Sequence, residues 1–205
     1  MEVSADLVER QRALQSEAAE VAGDLRIEET LGRVGRVLAV GSFVTGLMVW
    51  RDLDFVVDAS GLTTGAAFEV LHPLLARSRA AHYENDGELG RHYFVMRIPW
   101  RDEREWKLDV SLFLAGIPPD LETAQDELRT RLTDSTRATI LTLKDAWCAE
   151  VAYPEVVGGF EIYDAVLNSG VLTLDQLDAY LRERGLPTRS RRPVPWGWKF
   201  RRSSV

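Results

Sequence analysis

Apolar residues follow one period along the first third of the chain and another through its middle. Between residue 3 and about 22, Val3, Leu7, Leu14 and Val21 share a helical face with charged residues between them, which predicts an amphipathic helix ended by Gly23-Asp24. A short second helix over about 25 to 33 leads through Gly35 into RVLAV, a β-branched apolar run suited to a buried strand. LDFVV, at about 53 to 57, predicts the next strand. Between these strands GSFVTGLMVWR carries Gly41, Ser42, Thr45 and Gly46, which predict a turn and a short helical or irregular stretch. TTGAAFEVLHPLLARS then spaces Phe68, Leu71, Leu74 and Leu75 as a helix, with Pro73 as the place for a kink. After it the period falls to two. SRAAHYE, RHYFVMRI and EWKLDVSLFL read as three strands, joined by turns at Asn85-Asp86-Gly87 and Arg101-Asp102-Glu103-Arg104. The pattern predicts an α/β (α+β) protein whose mixed sheet of about five strands is flanked by helices.

From Asp120 the texture is helical: LETAQDELRTRLTDSTRATILTLKDAWCAEVA, then a segment near FEIYDAVLNSG, then TLDQLDAYLRERG with Thr173 as N-cap and Gly185 as stop. Pro118-Pro119 marks the boundary between the two textures. The expected organisation is an α/β domain over 1–117, a helical acceptor-side region over 118–186 and a Pro/Trp/Arg-rich tail over 187–205.

With 205 residues, 45% of them hydrophobic, the chain can bury a core without disulfides. Its one cysteine, Cys148, has no partner to bridge, no apolar run reaches the roughly 18 residues of a membrane span, and the first residues lack the basic and apolar parts of a secretory signal. A cytoplasmic location with no membrane partner is therefore expected. The formal charge of −7 speaks against a general nucleic-acid coat. That charge is unevenly placed. From Arg182 onward eight basic residues face one acidic residue, a net of +7, which leaves −14 on residues 1–181.

Asp52-Leu53-Asp54 is the only D-x-D in the chain and opens an apolar strand. Residues i and i+2 of a strand share a face, so both carboxylates project together, and two hard oxygen anions suit Mg²⁺ held jointly with substrate phosphates. Gly41-Ser42 follows the preceding strand directly; glycine lets a phosphate approach the backbone, and the Ser42 hydroxyl can donate to it. In EWKLDVSLFL the alternation places Trp106, Leu108, Val110 and Leu112 on one face and Lys107, Asp109 and Ser111 on the other. An Asp in the middle of an otherwise apolar strand, as Asp109 is, is costly unless paired or bound to a cation; a salt bridge to Lys107 or Arg97 is the alternative account. If its strand neighbours that of Asp52, three carboxylates converge as two-metal nucleotidyl transfer requires.

This order of Gly41-Ser42, Gly46, Asp52-x-Asp54 and a distant strand Asp109 resembles the nucleotidyltransferase superfamily of DNA polymerase beta. The likeness is to its small bacterial members, including kanamycin and lincosamide nucleotidyltransferases and the minimal nucleotidyltransferases of toxin–antitoxin pairs. It covers residues from about 25 to 115. The resemblance implies that Ser42 binds the triphosphate, that Asp52 and Asp54 hold two Mg²⁺ ions, and that Asp109 holds the catalytic ion and takes the acceptor proton. It also implies that Lys144, in TLKDAWC, reaches the nucleotide phosphates, against the alternative of an exposed helical lysine. Arg51 and Phe43 stand where many relatives carry a serine and a basic residue.

The expected function is transfer of a nucleoside monophosphate, AMP foremost, from a nucleoside triphosphate to a hydroxyl acceptor with release of pyrophosphate. The acidic body suits a cationic, aminoglycoside-like acceptor, as in antibiotic resistance. The competing readings are a toxin-type enzyme acting on tRNA or protein and a nucleotide-binding protein without turnover. Glu150, Glu155 and Glu161 are candidate bases for the acceptor. Tyr153, Phe160 and Tyr163 are assigned to core packing before ring stacking, Cys148 to the core, and His72, His82 and His92 form no metal motif. Trp196, Trp198 and Phe200 among Arg192, Lys199, Arg201 and Arg202 either anchor the tail on the acidic body or stack on RNA.

Overall fold

A computed structural model describes residues 5–189 apart from 103, 151 and 155. Val3, Glu155 and the tail residues Trp196, Trp198, Phe200, Arg192, Lys199, Arg201 and Arg202 lie outside the described residues. The described residues divide into two compact units, residues 11–130 and the described parts of 1–10 and 131–205. Among the described residues no helix is long and apolar enough to cross a membrane.

The first unit holds one mixed sheet of β1 (Val37–Val40), β2 (Asp52–Asp58), β3 (Ala80–Asp86), β4 (Arg91–Trp100) and β5 (Arg104–Phe113), in the order β1-β2-β5-β4-β3. β2 and β5 pair in parallel and the remaining neighbours are antiparallel. Helices α1 (Ala5–Asp24, from residue 11 onward), α2 (Ile27–Leu31), α3 (Gly41–Thr45), α4 (Thr64–Leu75) and α5 (Pro119–Arg131) complete it, and Pro73 lies inside α4.

Strand alternation separates the two faces of this sheet. Leu53, Phe55 and Val57 of β2, Phe94, Met96 and Ile98 of β4, and Trp106, Leu108, Val110 and Leu112 of β5 bury one face against Ala18, Val21, Ile27, Leu31, Leu71 and Leu74. The opposite face has a smaller cluster of Val40, Val56, Phe113 and Ile117, with Leu38 and Leu121 packed on it. That second face also carries Asp52, Asp54, Lys107 and Asp109. Trp106 is fully buried in the main core, so Trp106→Ala should lower stability by about 3–5 kcal/mol in a urea titration.

One turn and one helical run differ from the sequence expectation. Asn85 and Asp86 do not form the β3–β4 turn but pair with His92 and Arg91 inside the ladder, and the reversal falls at Gly87–Gly90. The Asp86 carboxylate explains this, because it accepts the Leu89 N–H at 3.1 Å and Arg91 Nε at 2.9 Å, closing a four-residue turn. The helical run expected from Asp120 is likewise two helices, α5 and α6 (Asp134–Trp147). Thr133 and Thr136 start the second with a reciprocal capping box: each hydroxyl accepts the other residue's backbone N–H, at 2.9 and 3.2 Å.

The second unit contains α6, α7 (Gly159–Ser169) and α8 (Leu174–Glu183). They bury Ile140, Leu143, Trp147, Ile162, Ala165, Leu177 and Leu181. Thr173 caps α8 as read from the sequence, and Gly185 follows it at φ 69°. Cys148 and Tyr153 are buried as expected, whereas Phe160 is 76% exposed and belongs to no core.

Candidate functional site

The site begins where β1 ends. Val40 pairs with Asp54 across the antiparallel ladder, and the next residue, Gly41, turns the chain at φ 73°. A Cβ there would lie 2.5 Å from Asp54 Oδ2, so only glycine lets the turn pass this close to the carboxylate. The Thr45 hydroxyl donates to the Gly41 carbonyl at 3.0 Å across the single turn of α3, and left-handed Gly46 ends it by donating to the Ser42 carbonyl. Ser42 is buried in this turn.

The chain re-enters the sheet at Asp52, and β5 lies parallel beside β2 with Asp52 opposite Lys107 and Asp54 opposite Asp109. That register converts the two-residue period of each strand into one acidic cluster. Asp52, Asp54 and Asp109 each offer a carboxylate oxygen within 4.8 Å of the others. Asp52 and Asp109 are buried and Asp54 is partly so.

Lys107 stands within the cluster. Its Nζ lies 2.5 Å from Asp109 Oδ2, 3.5 Å from Asp52 Oδ1 and 5.6 Å from the centre of the Trp50 ring. Burial opposes its charge, but Asp52, Asp109 and Asp54 outweigh that and hold the ammonium well above the usual lysine range. The salt bridge that offered an alternative account of Asp109 is therefore present, and it coexists with the cluster. Tyr93, absent from the sequence-based site, donates from its hydroxyl to the same Asp109 Oδ2 at 2.9 Å. Burial and the nearby Asp109 charge raise its phenol, so it remains a neutral donor. Asp109 Oδ1 is buried without a hydrogen-bond partner among the described residues.

Three carboxylates and one ammonium leave two negative charges in a small, largely buried volume, a costly arrangement without a further cation. The donors are all hard oxygens, as Mg²⁺ prefers, and the orphaned Oδ1 is an available ligand atom. The residues present thus fit a divalent ion held by Asp52, Asp54 and Asp109.

Arg51, which stands where many relatives of the resembled family carry serine, is committed elsewhere. Its Nε lies 2.8 Å from Glu17 Oε1, and Glu17 also receives Arg104 at 3.1 Å and the Trp106 indole N–H at 3.2 Å. Burial alone would raise the Glu17 carboxyl, but Arg51, Arg104 and Trp106 hold it below the usual glutamate range. Its contribution to stability is therefore present above the ordinary value of 4.5 and is lost as pH falls through the lowered folded value. Thermal melts between about pH 3 and 6 should show a decline on acidification that is shallower in Glu17→Gln.

Lys144 sits on α6 in the second unit. It is buried, not exposed on the helix surface, and its Nζ donates to the Tyr163 hydroxyl at 3.1 Å. Glu161 accepts the Gly158 N–H at 2.7 Å and so caps α7. His92 is buried on β4 beside the Tyr83 hydroxyl, 3.1 Å away, within an aromatic group, and among the described residues it belongs to no metal-ligand set.

No protein-family model and no curated protein sequence matches the chain. Solved structures do. The Cid1 poly(U) polymerase superposes with a TM-score of 0.52 at 13% identity, over 82% of this chain and 50% of that one. A mutant Cid1 bound to MgATP gives the same TM-score and identity over 82% and 52%. A cytoplasmic RNA terminal U-transferase gives 0.51 at 12% identity over 81% and 54%. This chain spans about half the length of each. At such low identity the likeness is one of architecture, and it establishes that this chain shares the fold of these structures.

Proposed function

We propose that the chain is a Mg²⁺-dependent nucleotidyltransferase that moves a nucleoside monophosphate, AMP foremost, from a nucleoside triphosphate to a hydroxyl acceptor. One observation carries the reading: Asp52, Asp54 and Asp109 converge on adjacent parallel strands, beside a turn that only glycine can make. The fold is shared with a polymerase whose mutant was solved with MgATP, which supports a nucleoside triphosphate as donor.

The acceptor oxygen attacks the α-phosphorus, the bond to the oxygen bridging to the β-phosphate breaks, and pyrophosphate departs. Two Mg²⁺ ions held by the triad would offset the triphosphate charge and make the acceptor hydroxyl easier to deprotonate. Asp109 takes the acceptor proton, while its Oδ1, which neither Lys107 nor Tyr93 engages, is the oxygen left for an ion. Gly41 leaves room for a phosphate against the backbone, and Ser42 supplies a hydroxyl donor. Positioning by these fixed groups is the main contribution of the protein.

Two acceptor classes remain. The −14 charge of residues 1–181 supports a small cationic acceptor of the aminoglycoside type. The poly(U) polymerase and RNA terminal U-transferase that share the fold support an RNA end. Incubation with α-labelled triphosphates, Mg²⁺ and a panel of aminoglycosides, tRNA and protein should move label onto one acceptor class with release of pyrophosphate. Tight triphosphate binding without pyrophosphate from any acceptor would contradict catalysis and favour a binding protein.

A further inference from the structure

We propose that Lys107 is a resident cation of the acidic triad that sets its affinity for divalent ions. The inference rests on the metal-site reading above and concerns a residue that reading does not use. Lys107 leaves the same face of β5 as Asp109, two residues earlier, and the parallel register sets it opposite Asp52. Its ammonium consequently bridges carboxylates from two strands, at 2.5 Å from Asp109 and 3.5 Å from Asp52. The side chain is only 8% exposed, so the charge cannot swing into solvent while the sheet is intact.

Such a cation has two opposing effects. In the ion-free protein it holds together three carboxylates that would otherwise repel one another across less than 5 Å. Towards an arriving divalent ion it is a like charge, fixed beside the same ligands, and it weakens binding. It also divides the work of Asp109: Oδ2 is taken by Lys107 and Tyr93, while Oδ1 is left for an ion. A lysine that only filled space would produce no such opposition, since its loss would loosen the fold and the metal site together.

The test is Mn²⁺ binding to the full chain, followed by electron paramagnetic resonance, with melting temperatures recorded in EDTA and in Mn²⁺. Lys107→Gln should bind Mn²⁺ tighter, on the order of tenfold or more, and melt several degrees lower in EDTA with much of the loss recovered in Mn²⁺. Lys107→Arg, which keeps the charge, should stay within about threefold of wild type in affinity. Equal or weaker Mn²⁺ binding by Lys107→Gln overturns the role of Lys107 while leaving the metal site standing. Absence of Mn²⁺ binding by the wild type overturns both. Should Lys107→Gln not fold even in Mn²⁺, the arginine variant decides, and a tenfold change in its affinity overturns the inference.

Discussion

Asp54→Asn should reduce transfer from an α-labelled triphosphate by about 10³-fold or more, while the melting temperature stays within a few degrees of wild type. Asp54 is the centre of the cluster: it pairs with Val40 on one side and Asp109 on the other, and the Gly41 turn passes against its carboxylate. Asparagine keeps the shape and the contact with the turn but removes the charge that would hold an ion and orient the triphosphate. Stability should survive because the substitution also relieves repulsion with Asp52 and Asp109. Single-turnover transfer, with circular dichroism as a check on folding, measures both quantities. Activity near the wild-type level would remove Asp54 from the machinery.

Gly41→Ala should be harmful in a different way. At φ 73° an alanine carries backbone strain, and its Cβ would sit 2.5 Å from Asp54 Oδ2, so the carboxylate or the turn has to move. The expected cost is about 1–3 kcal/mol of stability. A displacement of this size at a ligand should also lower transfer by about 10²-fold. Gly65→Ala, within α4, is the control: a Cβ there meets nothing within 4 Å, and alanine favours the helix. Chemical denaturation and initial-rate assays on the two variants should separate cleanly. Equal behaviour would mean that the closeness of Gly41 to Asp54 has no consequence.

The residues of the triad were legible before their arrangement was. Strand alternation places Asp52 with Asp54, and Lys107 with Asp109, on shared faces, because a two-residue period needs no tertiary information. The pairing of β2 with β5 is a contact between strands some fifty residues apart in parallel register, and local pattern specifies no such partner. Tyr93 could have been found: β4 and β5 form a hairpin, and counting back from the turn sets Tyr93 beside Ser111, next to Asp109 on the same face. The bonds from Arg51, Arg104 and Trp106 to Glu17 join α1, the residue before β2 and β5, and nothing in the spacing of these residues announces them. Lys144 shows a different limit. Helical periodicity placed it correctly on α6, but its burial against Tyr163 depends on how α6 and α7 pack. An Asp-Gly pair signals a two-residue hairpin, whereas the Asp86 side chain favours a wider turn, so the reversal falls at Gly87–Gly90.

The most direct measurement is a crystal structure with Mn²⁺ and a non-hydrolysable triphosphate, the ion located by its anomalous scattering. The account predicts Mn²⁺ bounded by Asp52, Asp54 and Asp109, with Asp109 coordinating through Oδ1, and the triphosphate against Gly41 and Ser42. Mn²⁺ absent from the triad, with the triphosphate bound elsewhere, would contradict it.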